Sequence, residues 1–222
     1  MNPPPGITAL PNGQWVLVHD THLSRWAEQH GNIISDPHVH AWLRPYIDRV
    51  DMVFDIGSNI GDHTRAYLDL GKQVIAFEPN PLAFACLAHN CPEATNLNIA
   101  ASDEAGVLRF SVSENVGASR ITEDGELFVA AEAIDGLGLP PPGFVKIDVE
   151  GHEIKVLQGM KQTLRDHHPM VFVEINRGAL EAQGFNANDI PEFMEDIGYS
   201  RMILYPEDAQ WSMPQFDALF LP

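Results

Sequence analysis

Chemically active side chains follow an apolar run in the segment VFDIGSNIGDHT, residues 53–64. An apolar strand that runs into a glycine turn and then into a helix lets a small polar ligand lie against the backbone. Gly57 and Gly61 permit positive φ and close approach, and the following helix offers its free N–H groups to a negatively charged group. The polar residues of this turn are Asp55, Ser58, Asn59 and Asp62. The segment therefore predicts a loop that binds a small polar molecule.

A carboxylate stands at the end of the next predicted strand, residues 73–77. At that place Glu78 can accept hydrogen bonds from both hydroxyl groups of a ribose. Pro79 stops the strand, and Asn80 is predicted to cap the helix that begins at Pro81. Ligands of open parallel sheets bind outside the carboxyl ends of the strands. The glycine turn and Glu78, with Asn80 beside it, therefore predict a site for an adenosine-containing molecule.

The spacing of the glycines distinguishes between adenosine cofactors. Dinucleotides are bound by the pattern G-x-G-x-x-G, whereas the run here is GSNIGD, with Asn59 in place of the second glycine. Asn59 would crowd a pyrophosphate, and Asp55 would repel one but would suit an ammonium group. A ligand with a ribose, an amine and a carboxylate but no phosphate is S-adenosylmethionine. The alternatives are a nicotinamide-dependent oxidoreductase on a similar sheet and a cofactor-binding module without catalysis.

A second group of ionisable residues lies at the end of a later predicted strand. If that strand continues, Lys146, Asp148 and Glu150 share one face, which is costly in a buried sheet unless the charges are paired or functional. We favour an ion pair with Asp148 for Lys146. For Asp148 we favour ordering of cofactor or acceptor, and for Glu150 the role of general base. His152 is a further candidate for taking a hydroxyl proton, and Glu174 faces either the acceptor or solvent.

Metal binding is the competing interpretation of these ionisable residues. Asp148, Glu150, His152 and Glu174 together would suit Mg²⁺ or Mn²⁺, yet they fit no recognised metal motif. We therefore predict a reaction that needs no metal.

The remaining histidine pair and the two cysteines are interpreted without a role at the site. His38 and His40 are expected at the surface. Cys86 and Cys91 are expected to be ordinary packing residues rather than a redox pair.

Apolar strands and helices alternate from Asp51 onwards, which predicts an α/β protein with a parallel sheet covered on both faces. The predicted strands are residues 52–56, 73–77, 96–100, 144–149 and 170–175, and the predicted helices are about 61–70, 81–90 and 152–165. Segment 107–113 is expected to add a strand or hairpin. Two strands near the C-terminus are expected to form an antiparallel edge.

Two segments of one domain are predicted. Residues 1–50 are interpreted as an N-terminal arm and helical cap, with a loose arm over 1–14, a short strand over 15–19, and two helices. Residues 51–222 are interpreted as the S-adenosylmethionine-dependent domain. We expect the first segment to close over the cofactor or acceptor crevice.

Charge and composition exclude several classes of protein. The 222 residues include 31 acidic and 13 basic side chains, and the formal net charge is −18. Such a field repels nucleic acid and anionic membrane surfaces, so neither is expected as a partner. The N-terminal stretch lacks the pattern of a signal peptide, and no apolar stretch is long enough to span a membrane. With only two cysteines, the sequence predicts a cytoplasmic protein.

Three motifs together resemble one enzyme family. DIGSNIGDHT, FEPNP and KIDVEGHEIKVLQGM occur in this order. As a set they resemble the FkbM family of S-adenosylmethionine-dependent methyltransferases, and the similarity runs from about Leu17 to the C-terminus. The resemblance implies a class I methyltransferase fold of the Rossmann-like type. Its sheet would have seven strands in the order 3-2-1-4-5-7-6, mostly parallel with the last strand antiparallel, and helices on both faces.

The resemblance also implies roles for particular residues. Those carried over as cofactor-binding positions are Asp55, Gly57, Asn59, Gly61, Glu78 and the stretch Ala101, Ser102 and Asp103. Of these, Glu78 would hold the ribose and Asp103 the adenine. Members of the family mostly methylate hydroxyl groups of sugars and other natural products. The implied partner is therefore a small-molecule or glycan acceptor, whose identity and methylated atom the sequence leaves open, as it does the oligomeric state.

Overall fold

A computed structural model describes residues 2–206 and 208–222 of the chain. The strands are β1 (Ile7–Ala9), β2 (Trp15–Leu17), β3 (Met52–Ile56), β4 (Gln73–Phe77), β5 (Thr95–Leu97), β6 (Ala100–Ala101), β7 (Gly106–Ser111), β8 (Arg120–Ile121), β9 (Leu127–Glu132), β10 (Phe144–Ile147), β11 (Met170–Asn176), β12 (Arg201–Tyr205) and β13 (Gln215–Leu221). The helices are α1 (Leu23–His30), α2 (Pro37–Ile47), α3 (Asp62–Asp69), α4 (Pro81–Asn90), α5 (Glu153–Gly159), α6 (Lys161–His167), α7 (Arg177–Ala182) and α8 (Asp189–Asp196). Strands and α-helices alternate from β3 to β5 and again from β10 to β11, as is typical of an α/β fold, whereas β5 to β10 follow one another without an α-helix between them.

The main sheet has seven strands in the order β12-β13-β11-β10-β3-β4-β5. The neighbours from β11 to β5 pair in parallel, whereas β13 is antiparallel to both β11 and β12. Numbered within this sheet, the order is 3-2-1-4-5-7-6 with an antiparallel last strand. The predicted class I, Rossmann-like sheet is therefore confirmed. The two C-terminal strands do form a hairpin, but β13 lies one place inside the edge and β12 forms the edge itself.

Both faces of this sheet are buried under helices. Phe54 and Ile56 of β3 belong to a core on one face, together with apolar residues of α5, α6, α7 and α8. Val53 belongs to a core on the other face, together with residues of α2, α3 and α4. Side chains alternate between the two faces of a strand, so a strand covered on both sides is apolar nearly throughout. Asp55 is the exception in β3, and it is fully buried.

The N-terminal segment is more ordered than the sequence predicts. Strand β1 pairs with β2 within the stretch interpreted as a loose arm, so that interpretation is corrected for Ile7–Ala9. The side chain of Asn90 on α4 accepts from the Trp15 N–H (2.7 Å) and donates to the Trp15 carbonyl (2.8 Å). The same amide donates to the Ile60 carbonyl (2.8 Å). One buried side chain thus joins the N-terminal hairpin to the turn that follows β3.

A second sheet, in the order β6-β9-β7-β8, stands beside the main one. It contains the strand predicted near residues 107–113. It also explains a wrong boundary, because the predicted strand 96–100 is divided between β5 in the main sheet and β6 in the second. The predicted helix 152–165 is likewise two helices, α5 and α6.

Two further expectations concern cysteines and membranes. Cys86 and Cys91 are both buried and unbonded to each other, which confirms their interpretation as packing residues. Burial raises the pKa of each thiol to about 12. Within the described ranges, no helix has the length and apolar character needed to cross a membrane.

Candidate active site

A cavity of about 360 Å³ opens at the carboxyl ends of β3, β4 and β10. The predicted site residues that line it are Gly57, Asn59, Glu78, Ala101, Asp148, Glu150, His152 and Glu174. Those that do not line it are Asp55, Ser58, Gly61, Asn80, Ser102 and Asp103. The N-terminal segment contributes His22, Leu23, Ser35 and Asp36 to the wall. The structure therefore brings the first set of predicted residues together at one cavity, whereas the second set does not reach its wall.

The glycine turn packs directly against the end of β10. Gly57 has φ 81°, and a Cβ atom there would lie 1.8 Å from the Asp148 carbonyl oxygen. The N–H groups of Gly57 and Ser58 both donate to the Phe77 carbonyl (3.0 Å each). Asn59 is also left-handed, at φ 48°, and its Oδ1 atom is buried without a hydrogen bond. The packing of these two loops therefore requires glycine at position 57. This requirement is separate from any need for a ligand to approach the backbone.

Glu78 holds this turn in place through its side chain. One carboxylate oxygen accepts from the Asn59 N–H and the other from the Asn80 N–H, each at 2.8 Å. Burial raises the pKa of Glu78 to about 7, against these two hydrogen bonds. Asn80 itself caps α4, where its side chain accepts from the Leu82 N–H (3.1 Å). Glu78 therefore lines the cavity with its carboxylate fixed by two backbone N–H groups.

Asp55 has a different environment from the one expected. It is fully buried, and one carboxylate oxygen accepts from the Thr64 hydroxyl (2.5 Å). The other oxygen lies 3.7 Å from the Lys146 ammonium, which is itself 3.3 Å from Asp148 and donates to the Gly57 carbonyl (2.9 Å). Burial opposes the charge of Lys146, but Asp148 and Asp55 outweigh it and raise its pKa. Asp55 therefore does not reach the cavity, and the predicted pair of Lys146 with Asp148 is confirmed.

Two other turn residues also act behind the wall. The Ser58 hydroxyl donates to the Asp55 carbonyl (2.6 Å), which closes the turn on itself. Gly61, at φ 96°, precedes α3, and a Cβ atom there would lie 2.9 Å from the sulfur of Cys91. Both residues shape the turn rather than line the cavity.

At the β6 end of the cavity, Ala101 lines the wall and a short polar chain lies behind it. The Ser102 hydroxyl is 3.0 Å from His152 Nε2 and 3.1 Å from the Asp103 carboxylate. Asp103 in turn pairs with Lys155 (2.6 Å), which keeps its pKa low despite burial. Burial lowers the pKa of His152 to about 4, so this imidazole is neutral at pH 7. The arrangement positions Asp103 away from the wall.

Three carboxylates meet at the opposite end of the cavity. Strand β10 ends at Ile147, so the expectation that Asp148 and Glu150 continue one strand face is wrong. Glu150 has φ 52° and Gly151 has φ 103°, and this left-handed pair turns the chain. Carboxylate oxygens of Asp148, Glu150 and Glu174 nevertheless lie within 4.8 Å of one another. The turn of the backbone after β10, rather than a straight strand, therefore brings these carboxylates together.

Two of these three carboxylates, Glu150 and Glu174, have raised pKa values. Burial, and then the charge of Asp148, raises the pKa of Glu150 to about 7. Burial and both of these neighbours raise the pKa of Glu174 well above its ordinary value. Asp217 lies opposite Glu174 in the β11–β13 pair, and burial and Asp148 raise its pKa to about 7. The side chains that donate to this group are Asn176, at 3.2 Å from Glu150, and Gln215, at 2.8 Å from Glu174.

The same three carboxylates are a possible set of ligands for a hard divalent cation, since Mg²⁺ and Mn²⁺ prefer oxygen. Among the described residues no other group of three or more acidic, histidine or cysteine side chains converges in this way. His152 lies outside the group, at its hydrogen bond with Ser102. The prediction that the reaction needs no metal stays a prediction.

His63 is a wall residue that sequence reasoning missed. It lies in the first turn of α3 and lines the cavity. Its ring centroid is 4.7 Å from that of His40, and both ring nitrogens of His40 are buried without a hydrogen bond. The expectation that His40 lies at the surface is therefore wrong, because α2 packs this side chain against α3. The available signal was position, since His63 follows the second glycine of the turn by two residues.

Comparison with known proteins relates this chain to methyltransferases. A family model described as the methyltransferase FkbM domain matches residues 55–201. The hexuronic acid methyltransferase AglP of Haloferax volcanii is 34% identical over 138 residues. That alignment covers 58% of this chain and 57% of the relative, so the chain spans just over half the length of the curated relative it matches.

Solved structures resemble the fold at low sequence identity. An FkbM methyltransferase from Methylobacillus flagellatus KT has a TM-score of 0.55 and 18% identity, over 77% of this chain and 43% of that one. A TehB-like S-adenosylmethionine-dependent methyltransferase from Corynebacterium glutamicum has a TM-score of 0.54 and 13% identity, over 89% and 92% of the two chains. These two likenesses concern the arrangement of strands and helices.

Proposed function

The chain belongs to the FkbM methyltransferase family, and from this membership we propose that it transfers the methyl group of S-adenosylmethionine to a hydroxyl group of a sugar or another small-molecule or glycan acceptor. One observation carries the proposal. A single cavity has Glu78 on its wall at the end of β4 and the carboxylates Asp148, Glu150 and Glu174 beyond the ends of β10 and β11. The first end suits an adenosine group, and the second suits an acceptor that must lose a proton.

The residues that line the cavity fit S-adenosylmethionine. Glu78 is held by two backbone N–H groups and keeps free lone pairs for ribose hydroxyls. Asn59 Oδ1 is a buried acceptor without a partner. Leaving a buried polar atom unpaired costs about 1–3 kcal/mol, and a bound ligand would remove that cost. When bound, S-adenosylmethionine supplies an already activated methyl group, so the protein has to align the acceptor and remove its proton.

Glu150 is the residue best suited to take the hydroxyl proton. Its pKa of about 7 leaves it partly ionised at neutral pH, close to the value at which a general base is most effective. Asn176 donates to one of its oxygens and so limits its rotation. Asp148 is held by Lys146 and is the better candidate for ordering the acceptor or the cofactor. Glu174 lines the cavity beside both carboxylates, and His152 is the alternative base at the β6 end of the cavity.

A sugar acceptor is supported by the name of the Haloferax volcanii relative, which is a hexuronic acid methyltransferase. The net charge of −18 favours a small acceptor over nucleic acid. The N-terminal segment is proposed to cap the crevice, since His22 and Ser35 line the cavity from that side. A division into residues 1–50 and 51–222 is consistent with this role.

A binding comparison and a transfer assay test the proposal. Thermal unfolding is followed with S-adenosylmethionine, S-adenosylhomocysteine and NAD, because a ligand that binds the folded state alone raises its stability. We expect stabilisation by the first two and none by NAD. Transfer of a labelled methyl group is then measured with neutral sugars, amino sugars and hexuronic acids. Stabilisation by NAD alone would indicate an oxidoreductase, and stabilisation by S-adenosylmethionine without transfer to any acceptor would leave a binding module.

A further inference from the structure

His63 presents a ring nitrogen to the cavity that has no partner. The side chain is 16% exposed, and its Nδ1 atom is buried without a hydrogen bond. Nε2 is the ring nitrogen left accessible, and it lies 4.0 Å from the Asp62 carboxylate, beyond hydrogen-bond distance. Burial, and then the charge of Lys146, lowers the pKa of His63 to about 3, so the ring is neutral and carries one N–H. Keeping that proton on Nε2 leaves only a lone pair in the buried position.

The environment of His63 offers one donor and one acceptor side by side. The neighbouring Asp62 carboxylate lines the cavity and accepts from the Ser35 hydroxyl (3.0 Å). His40 packs edge-on against His63, and neither of its ring nitrogens makes a hydrogen bond. The pair therefore combines a neutral N–H donor with an anionic oxygen. This is the complement of a zwitterion, whose carboxylate needs a donor and whose ammonium group needs an acceptor.

The location of the pair fits one part of the cofactor. Along the edge of the sheet, β3 lies between β4, which ends at Glu78, and β10, which ends beside Asp148. His63 follows the turn after β3 and is close enough to Lys146 and Asp148 for both to affect its pKa. With the ribose at Glu78, a chain that extends from the ribose towards β10 passes the first turn of α3. Asp55, which the sequence suggested for the ammonium group, is buried beneath this position.

We propose that His63 and Asp62 bind the carboxylate and the ammonium group, respectively, of the methionine part of S-adenosylmethionine, an inference that rests on the proposed function. His63 and Asp62 lie within the first motif, DIGSNIGDHT, but the resemblance gave neither of them a role. Asp62 takes the role first assigned to Asp55. The hydrogen bond from Ser35 places the N-terminal segment directly behind this contact.

The test compares two ligands that differ by the amino-acid group alone. S-adenosylhomocysteine and 5′-methylthioadenosine share the adenosine and the thioether, and only the first carries the zwitterion. Dissociation constants are measured by calorimetry for the wild type, His63→Phe, His63→Leu and Asp62→Asn. His167→Phe is the matched control, because His167 is an exposed histidine on α6 outside this cavity. Affinity for 5′-methylthioadenosine also reports whether each variant retains the adenosine site.

We expect His63→Phe to weaken S-adenosylhomocysteine binding about 10- to 100-fold, the effect of losing a hydrogen bond to a charged group. Binding of 5′-methylthioadenosine should change less than about twofold. Unchanged S-adenosylhomocysteine affinity, or an equal loss of both ligands in His63→Phe and in His63→Leu, would overturn the inference. A wild type that binds neither ligand would instead contradict the proposed function. The two failures are therefore distinguishable.

Discussion

The two ends of the cavity are built in contrasting ways. We propose that the end at Glu78 binds the cofactor (the cofactor end) and that the end at Asp148, Glu150 and Glu174 binds the acceptor (the acceptor end). At the cofactor end, both carboxylate oxygens of Glu78 meet backbone N–H groups. At the acceptor end, Glu150 receives one side-chain amide, and one oxygen of Glu174 is buried with no hydrogen bond. Backbone groups are fixed by the fold, whereas side chains can rearrange. The cofactor end is therefore organised before any ligand arrives, which lowers the entropy lost on binding.

Electrostatics distinguish the ends as well. Near the cofactor turn, the positive Lys146 stands between Asp55 and Asp148, and opposite charges are paired. Beyond Asp148, burial and then the neighbouring negative charges raise the pKa values of Glu150 and Glu174, which favours their protonated forms. The cofactor end is thus a rigid receptor, and the acceptor end is a set of groups ready to exchange protons. Four experiments sharpen this contrast or break it.

The largest effect is expected from Glu150→Gln at the acceptor end. The substitution keeps the shape of the side chain but removes the base, which typically contributes about 10²–10⁴-fold in rate. We expect kcat for methyl transfer to fall by about that factor, with S-adenosylmethionine affinity close to that of the wild type. Single-turnover transfer and calorimetry measure the two quantities.

Glu181→Gln is the control for this variant, since Glu181 is an exposed glutamate on α7 outside the cavity wall. Wild-type turnover of Glu150→Gln at saturating acceptor would remove Glu150 from the mechanism. His152 or water would then take the proton.

At the cofactor end, Glu78→Ala is expected to weaken S-adenosylmethionine binding by about 1.5–3 kcal/mol, the contribution of a hydrogen bond to a charged group. The ribose is common to S-adenosylhomocysteine and 5′-methylthioadenosine, so both should weaken by a similar factor. Calorimetry on the folded variant measures this. Affinities equal to those of the wild type would show that Glu78 supports the turn without holding the ribose.

The pH dependence of the rate tests the proton-exchanging character of the acceptor end. The pKa of Glu150 is raised to about 7, so the carboxyl is mainly protonated, and inactive as a base, below that pH. We expect kcat/KM to rise about fivefold between pH 6 and pH 7 and to level off above pH 8, because this parameter reports ionisation of the unliganded enzyme. A flat profile over this range in the wild type would argue against Glu150 as the base. Glu150→Gln should lose the rising limb.

The smallest effect is expected from chelation. Lys146 already supplies positive charge 3.3 Å from Asp148, and the sequence contains no recognised metal motif. We predict that activity survives dialysis against EDTA. Activity that disappears and returns with Mg²⁺ or Mn²⁺ would mean that Asp148, Glu150 and Glu174 hold a metal. The general base would then give way to activation of the acceptor hydroxyl by the metal.

Local patterns predicted the fold because they reflect neighbours along the chain. The apolar strand before Gly57, the proline after Glu78 and the helix cap at Asn80 are all short-range signals, and they identified β3, β4 and α4. The predicted end of β10 was wrong because it, too, was inferred from short-range patterns alone. The residue types from Asp148 to Glu150 suit an extended strand, yet β10 ends at Ile147 and the chain turns at the left-handed residues Glu150 and Gly151.

Contacts between distant segments set the remaining features of the site. Asp55 and Lys146 are paired residues of β3 and β10, which lie side by side in the sheet but far apart in sequence. A sequence alone does not give that register, so Asp55 was assigned to the ligand instead of to Lys146. The opposition of Glu174 and Asp217 is equally non-local. His40 and His63 meet because α2 packs on α3, a contact between two helices from different predicted segments.

The buried pair of Asp55 and Lys146 also restricts how this protein can be recombined with its relatives. A hybrid that takes β3 from one parent and β10 from another risks leaving one of the two charges without its partner. A broken buried ion pair costs about 3–5 kcal/mol, a large fraction of the stability of an ordinary domain. These strands must therefore be inherited together. Crossover points that exchange acceptor preference belong after Ile147, where β10 ends.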